Sequence, residues 1–467
     1  MRDMIAIAAS VALPWLAGGF CVLALQRREE PRDPVLAAGY GYLLGMLATS
    51  LAMRGLDAVA VRWSVPLIAL QLIALAVVAG GIARLRSLPS LRERWRASRG
   101  RAAALPSAHR LLFFACLALI VVRLFDLGLE LAWRPLLPWD AWAQWATKAR
   151  VWYEYRSIAP FIDPARWLES GSAMQFVDAH SDYPATVPLQ QVWTALCLGR
   201  WDESLINVPW LAIVSSLGLA FYAQLRRIGT GMAQAMLFSY LLLSIPFIDL
   251  HVAIAGYADI FVAAAYGMAA MALWQWVRTR GRADAVLAVL CALACIAIKK
   301  EGILWALTLL PPVLVAIDRR VGLGAAALLG VAMLVYLLFG PAEIHLLGYT
   351  LRTEFTNVSR PMFEHYFEMD NWHLLWYLAL AVLALRWRQV FSTALAPMTV
   401  TMLGGFAFVF VVFFYSSAAF GVADETLVNR LPLHMVPALA FYLAFLWRQG
   451  TASASAAEGA PARQIAQ

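Results

Sequence analysis

The sequence predicts an all-α, polytopic transmembrane helical protein with about 13 spans, and three observations carry that expectation. Of 467 residues, 62% are hydrophobic and 14% are charged, where a soluble chain carries about 25% charge. The mean hydropathy is +0.68. The apolar blocks approach the ~20 residues a helix needs to cross a bilayer at ~1.5 Å per residue. This pattern excludes a soluble enzyme on one anchor, a secreted disulfide scaffold and a barrel of short alternating strands.

The first span, 4–25, follows no basic leader and contains no small-residue cleavage site, so it reads as a retained span and not as a signal peptide. Spans at 34–53 and 65–83 follow. The loop from Arg84 to Arg110 holds eight arginines against Glu93 alone, which fixes it in the cytoplasm. Residues 1–110 thus form an N-terminal three-span addition with a basic cytoplasmic loop. A core, 111–448, supplies spans at 111–133, 205–225, 231–248, 256–277, 284–298, 303–317, 321–340, 372–386, 394–415 and 431–447. Residues 449–467 are polar and read as a disordered cytoplasmic tail. With sides assigned by parity, inner loops hold 22 Lys and Arg against 7 Asp and Glu, and outer loops 14 against 20. That split agrees with the positive-inside rule and places the N-terminus outside. Segment 187–199 is too short to span and reads as a re-entrant or interfacial helix. Two outer loops, 134–204 and 341–371, are long enough to be functional.

The five cysteines lie in apolar stretches without zinc-ligand spacing, and packing is the simpler reading even for Cys291 and Cys295 on one helix face. In the fourth span, Arg123, Asp126 and Glu130 fall on one helical stripe, which reads as a structural ion-pair stripe facing protein or water.

The candidate chemistry lies on the outer side. The first long loop opens with LLPWDAWAQWATKARVWYEY, in which Trp139, Trp142 and Trp145 recur every three residues. Such a segment is an amphipathic interfacial helix, and its tryptophans serve either an aromatic belt or sugar stacking. Asp140, framed by two tryptophans, is either a general base or the cap of that helix. Lys148 closes the motif as a substrate-binding candidate. HSDYPATVP supplies His180, Asp182 and Tyr183 before a proline that opens the short helix, either a binding cluster or a polar turn. GYADI puts Asp259 near the outer end of a span, where an ionisable residue is functional by default, or pairs with a nearby lysine. AIKKEG supplies Lys299, Lys300 and Glu301 in a tight outer connection, suited to a phosphate or to snorkelling. VNRLPLHMVP places Arg430 and His434 four apart on one helical face, a second phosphate grip. The second long loop carries His345, Arg352, Glu354, Arg360, Glu364, His365 and Glu368, a cover for the site or a reader of the acceptor.

In the order WDAWAQWATKA, SDYPATVP, GYADI, KKEG and RLPLH, over roughly 134–440, the chain resembles membrane glycosyltransferases of the C-type superfold, the protein mannosyltransferase and aminoarabinose transferase type. The resemblance implies a polyprenyl-phosphate sugar donor, a glycan, lipid or protein acceptor, and an inner (plasma) membrane enzyme with its site facing the periplasm or exterior. It implies that Asp140 is the catalytic base, with Asp182 in reserve, and that Lys299, Lys300, Arg430 and His434 hold the donor phosphate. Trp139, Trp142, Trp145, Lys148, His180, Tyr183, Asp259 and Glu301 then bind substrate. Many relatives have paired acids in the first loop where Asp140 stands alone, so a divalent metal is left open and no cofactor is assigned. Membrane lipids are expected partners and nucleic acid is not. The competing readings are a glycolipid transporter or flippase, with charges at the bilayer midplane and broken helices, and a non-catalytic membrane assembly subunit.

Overall fold

A computed structural model describes residues 1–26, 33–85, 100, 105–170, 175–346 and 349–458. Most of the basic loop, with its arginines at 86, 92, 94, 96, 99 and 101, and the end of the tail lie outside the described residues. In chain order the main helices are α1 (Arg2–Leu25), α2 (Pro34–Ala58), α3 (Val65–Leu85), α4 (Ser107–Trp133), α5 (Ala146–Tyr155) and α6 (Thr186–Leu198). They continue as α7 (Val208–Arg227), α8 (Met232–Leu243), α9 (Pro246–Ala253), α10 (Asp259–Thr279), α11 (Arg282–Ile298) and α12 (Gly302–Leu307). The last are α13 (Leu310–Ile317), α14 (Arg319–Phe339), α15 (Leu375–Leu385), α16 (Ala396–Phe414), α17 (Arg430–Leu433) and α18 (Val436–Glu458). The only sheets among the described residues are two-stranded: Phe161–Ile162 pairs with Phe176–Val177, and Glu343–Leu346 with Tyr349–Arg352.

The protein is therefore an all-α membrane protein. Each of the thirteen predicted segments is helical, but eight described helices are long and apolar enough to cross a membrane, or nine if one bent pair counts as a span. The count of about 13 is not reached because four of the others are short or interrupted, and α18, a helix of 23 residues, runs from an apolar start into a polar end. Helix α11 has 17 residues, α15 has 11, and α12 and α13 are separate short helices of 6 and 8. The bent pair is α8 and α9, at 59°. Its cause is Pro246, which opens α9 and cannot continue the hydrogen-bond ladder of α8. The last helix runs on to Glu458, past the predicted end of the core at 448.

Helix α10 is the hub. Seventeen of its 21 residues are buried, from Asp259 to Gln275, and α7, α11 and α18 pack around it. The N-terminal helices pack on the rest of the chain: α2 on α7, and α1 on α6. Helix α1 meets α2 through Gly18, Gly41 and Gly45, where a Cβ on Gly45 would lie 1.7 Å from the Pro14 carbonyl oxygen. Glycine alone allows backbones this close. Segment 187–199 appears as α6, a helix of 13 residues of which all but Cys197 are buried. It is thus enclosed by protein.

The ion-pair stripe of the fourth span also forms differently. Arg123 bonds Asp249 on α9 and the Ser244 carbonyl at the bend, Glu130 bonds Arg134 at the helix end, and Asp126 is exposed. The bend of α8 and α9 brings the Asp249 carboxylate to Arg123.

Candidate functional site

The chain after α4 turns at Pro138 into a π-helical turn, Ala141–Trp145, that runs on as α5. This segment does not lie as a free amphipathic helix. Trp139 and Trp142 face outward, 67% and 49% exposed, while Trp145, Lys148 and Trp152 are buried. Gly256 explains how close it comes to the core. At φ +138° it adopts a backbone that L side chains rarely take, and a Cβ there would sit 2.4 Å from the Ala141 Cβ. The GYADI turn thus packs directly against the residue after Asp140.

The consequence is that Asp140 is not a cap. Its side chain makes no capping bond to the turn that follows; instead its Oδ2 accepts from Arg430 Nη2 at 2.5 Å. Arg430 also donates from Nε (3.1 Å) and Nη2 (2.9 Å) to Asp259 Oδ2, and its guanidinium lies over the Tyr257 ring, 4.4 Å from the centroid. Asp259 Oδ1 accepts from Lys299 Nζ and His434 Nε2, both at 3.0 Å. An ionised carboxylate only accepts, so His434 carries a proton on Nε2, and its Nδ1 has no hydrogen-bond partner. Five residues from four distant parts of the chain therefore form one connected network, nearly closed to solvent at Asp259 and open at Asp140.

A second group adjoins it. Tyr183 Oη donates to Glu301 Oε1 at 2.5 Å, Lys300 bonds Asp182, and the Lys300 ammonium lies 5.3 Å from the centroid of the Tyr183 ring. Trp145 and His180 both stand edge-on to Tyr183. Burial first, then Glu301, pushes the Tyr183 phenol far above its usual range, so it remains a donor. The Asp182 carboxyl is raised by its partial burial, but the Lys300 bond and charge outweigh that and hold it below the usual carboxylate value.

Lys148 has a different place from the one expected. It pairs with Asp178 at 2.8 Å, both side chains buried, and donates to the His180 carbonyl. It ties down the loop that carries His180, Asp182 and Tyr183, and so positions the site without lining it.

The sequence reading missed Asp178, Tyr257, Tyr349 and Asn429. Tyr257 sits inside the quoted GYADI motif and could have been named from it. Tyr349 comes from the second long loop; burial and the nearby Glu301 and Asp259 push its phenol up. Of the polar residues flagged in that loop, His365 turns inward to Asn429, the neighbour of Arg430, at 2.8 Å. His345, Arg352, Glu354, Arg360 and Glu368 are exposed.

Several atoms stand open for a ligand. Among the described residues, Trp145 Nε1, Glu301 Oε2 and His434 Nδ1 are among the buried side-chain atoms without a hydrogen-bond partner, and each is chemically able to bond a ligand. No group of three or more His, Cys, Asp and Glu among the described residues could hold a metal ion; Arg430 occupies the space between Asp140 and Asp259. The described residues of this network do not fit a metal centre. No family model, curated protein or solved structure matches this chain, so its family is not assigned by likeness.

Proposed function

We propose that the protein is an integral membrane glycosyltransferase that moves a sugar from a polyprenyl-phosphate donor to an acceptor hydroxyl on the outer side of the cell membrane. The observation that carries this reading is Asp140: a carboxylate at the open edge of the network, oriented by Arg430, with the lysines of one further segment, Lys299 and Lys300, bonded to Asp259 and Asp182 nearby. Resemblance in the order of motifs supports the donor class. The acceptor O–H meets Asp140, whose Oδ1 is not engaged by Arg430. Its oxygen attacks the anomeric carbon while the carbon–oxygen bond to phosphate breaks, the electron pair leaving with the phosphate and the proton passing to Asp140. The stereochemistry inverts in this single displacement. Lys300 and Arg430, each with N–H groups beyond those engaged by Asp182, Asp140 and Asp259, stabilise the departing phosphate. Lys299 acts indirectly, by holding Asp259, which in turn aims Arg430.

The test is turnover of a polyprenyl-phosphate sugar by purified protein and by Asp140→Asn. Loss of a proton-transfer group reduces the rate by about a hundredfold to ten-thousandfold, and donor binding and melting temperature should stay close to wild type. Near-normal turnover in Asp140→Asn with loss in Asp182→Asn would transfer the role to Asp182. No sugar release by wild type under any acceptor condition would end the reading.

A transporter has one observation on its side. The break between α8 and α9 with Arg123 and Asp249 beside it is the broken-helix arrangement transporters use. Donor translocation into sealed vesicles that is lost in Asp249→Asn but kept in Asp140→Asn would favour it.

A further inference from the structure

Away from the charged network, a groove of about 850 Å³ runs between α8, α15 and α18 and is lined at its outer end by residues 367–370 and 372–374. Its walls are apolar, with Leu237, Leu241, Leu378 and Leu443 among them. Along α8 it extends from Gln234 to Ser244, ~15 Å at the rise of a helix and about half of a ~30 Å hydrocarbon core. That is the depth of one leaflet. The outer end is different in kind: Glu368, Asp370 and His373 line it, with no Lys or Arg in the wall. Arg360, the one Lys or Arg in 359–374, is already bonded to Glu364 at 2.7 Å, and His373 is bonded through Nδ1 to Asp370 at 2.8 Å. The rim is therefore acidic and acceptor-rich.

We propose that this groove binds one acyl chain of a membrane lipid whose head group carries a primary ammonium, with Glu368 and Asp370 accepting the ammonium N–H groups. The charge of the rim opposes a phosphate-only head and so separates this site from a lipid-phosphate site at Lys300 and Arg430. A quaternary ammonium brings the same charge but no N–H to donate. Trp372 forms the wall between the two places: it lines the groove, and its Nε1 donates to Asn429, the neighbour of Arg430, at 2.9 Å. The groove is a binding site in its own right and does not rest on the glycosyltransferase reading.

The experiment uses the full chain, delipidated in detergent and re-exposed to three lipids with identical acyl chains and ethanolamine, choline or bare phosphate head groups. Bound lipid per protein is read by mass spectrometry. We expect the ethanolamine lipid to be retained about tenfold or more over the bare phosphate lipid, the scale of one charge-assisted hydrogen bond, with choline between them. Glu368→Gln with Asp370→Asn, both at exposed positions, should erase the preference. Leu241→Trp with Leu378→Trp, enlarging half-exposed side chains into the groove, should reduce retention of all three lipids while melting stays cooperative. Equal retention of the three head groups by wild type, or unchanged retention in the groove-filled variant, would overturn the proposal. If the groove-filled variant fails to fold, the rim variant decides: a preserved head-group preference there rejects the assignment.

Discussion

Asp182 and Lys300 meet at the rim of the site, and their pairing has a pH signature. The Asp182 carboxyl titrates below its usual 3.8 because Lys300 outweighs the effect of burial. A depressed folded-state value means that its ionisation stabilises the fold above the unfolded value and that this contribution is lost as pH falls through the lower, folded value. Melting temperatures of wild type and Asp182→Asn should therefore differ by a small constant amount above about pH 5 and converge in stronger acid; the effect is small because the carboxylate is 61% exposed. The buried counterpart behaves differently. Lys148→Met leaves Asp178 charged without a partner, which destabilises by about 3–5 kcal/mol, and the double variant Lys148→Met with Asp178→Asn should recover much of it. The check is chemical denaturation of the three variants, with protease nicking between 156 and 185 as a local readout. At this scale the sequence showed which residues were unusual, since Asp140, Asp259, Lys299 and Arg430 are charges at the ends of apolar runs. It did not show that each cation would already hold an anion. That depends on Gly256, whose φ of +138° draws two segments together and which looks in the sequence like any loop glycine.

Helix pairs make a sharper test of packing than single contacts. Gly45 and Gly55 lie on the same helix, α2, yet a Cβ at Gly45 meets the Pro14 backbone while a Cβ at Gly55 meets nothing within 4 Å. Gly45→Ala should force α1 and α2 apart and lower the yield of folded protein. Gly55→Ala should raise stability by about 0.5–1 kcal/mol, the helix advantage of alanine over glycine. Thermal unfolding of the two purified variants separates them, and equal effects would show that the α1–α2 contact is not as close as described. Span positions were readable because hydrophobicity repeats over whole helices. Span integrity was less so: 231–248 reads as one apolar run, and only the bond of Arg123 to Asp249 across the bend makes the break at Pro246 meaningful. Likewise 187–199 announces a short helix by its length, whereas its enclosure by α1, α2 and α5 is tertiary and left no periodic trace.

Across the whole molecule, sidedness is the first thing to measure. In a background without native cysteines, Asp163→Cys and Arg360→Cys should react with an impermeant thiol reagent from outside, and Arg92→Cys and Gly281→Cys should not. Protection of the first pair would invert the molecule and move the network to the cytoplasmic face. Fold class followed from composition together with apolar blocks of about 20 residues; the convergence of the site did not, because it joins segments that are far apart in sequence. That separation bears on biosynthesis. Asp259 emerges from the ribosome 40 residues ahead of Lys299 and 171 ahead of Arg430, and an unpaired carboxylate inside a bilayer-inserted helix costs about 2.5–3.5 kcal/mol at its deepest. Until Arg430 arrives, the half-made protein is short of its principal counter-charge. A chain stopped before that residue holds Asp140 and Asp259 without the guanidinium that joins them, so the charge balance of the network is completed late in synthesis.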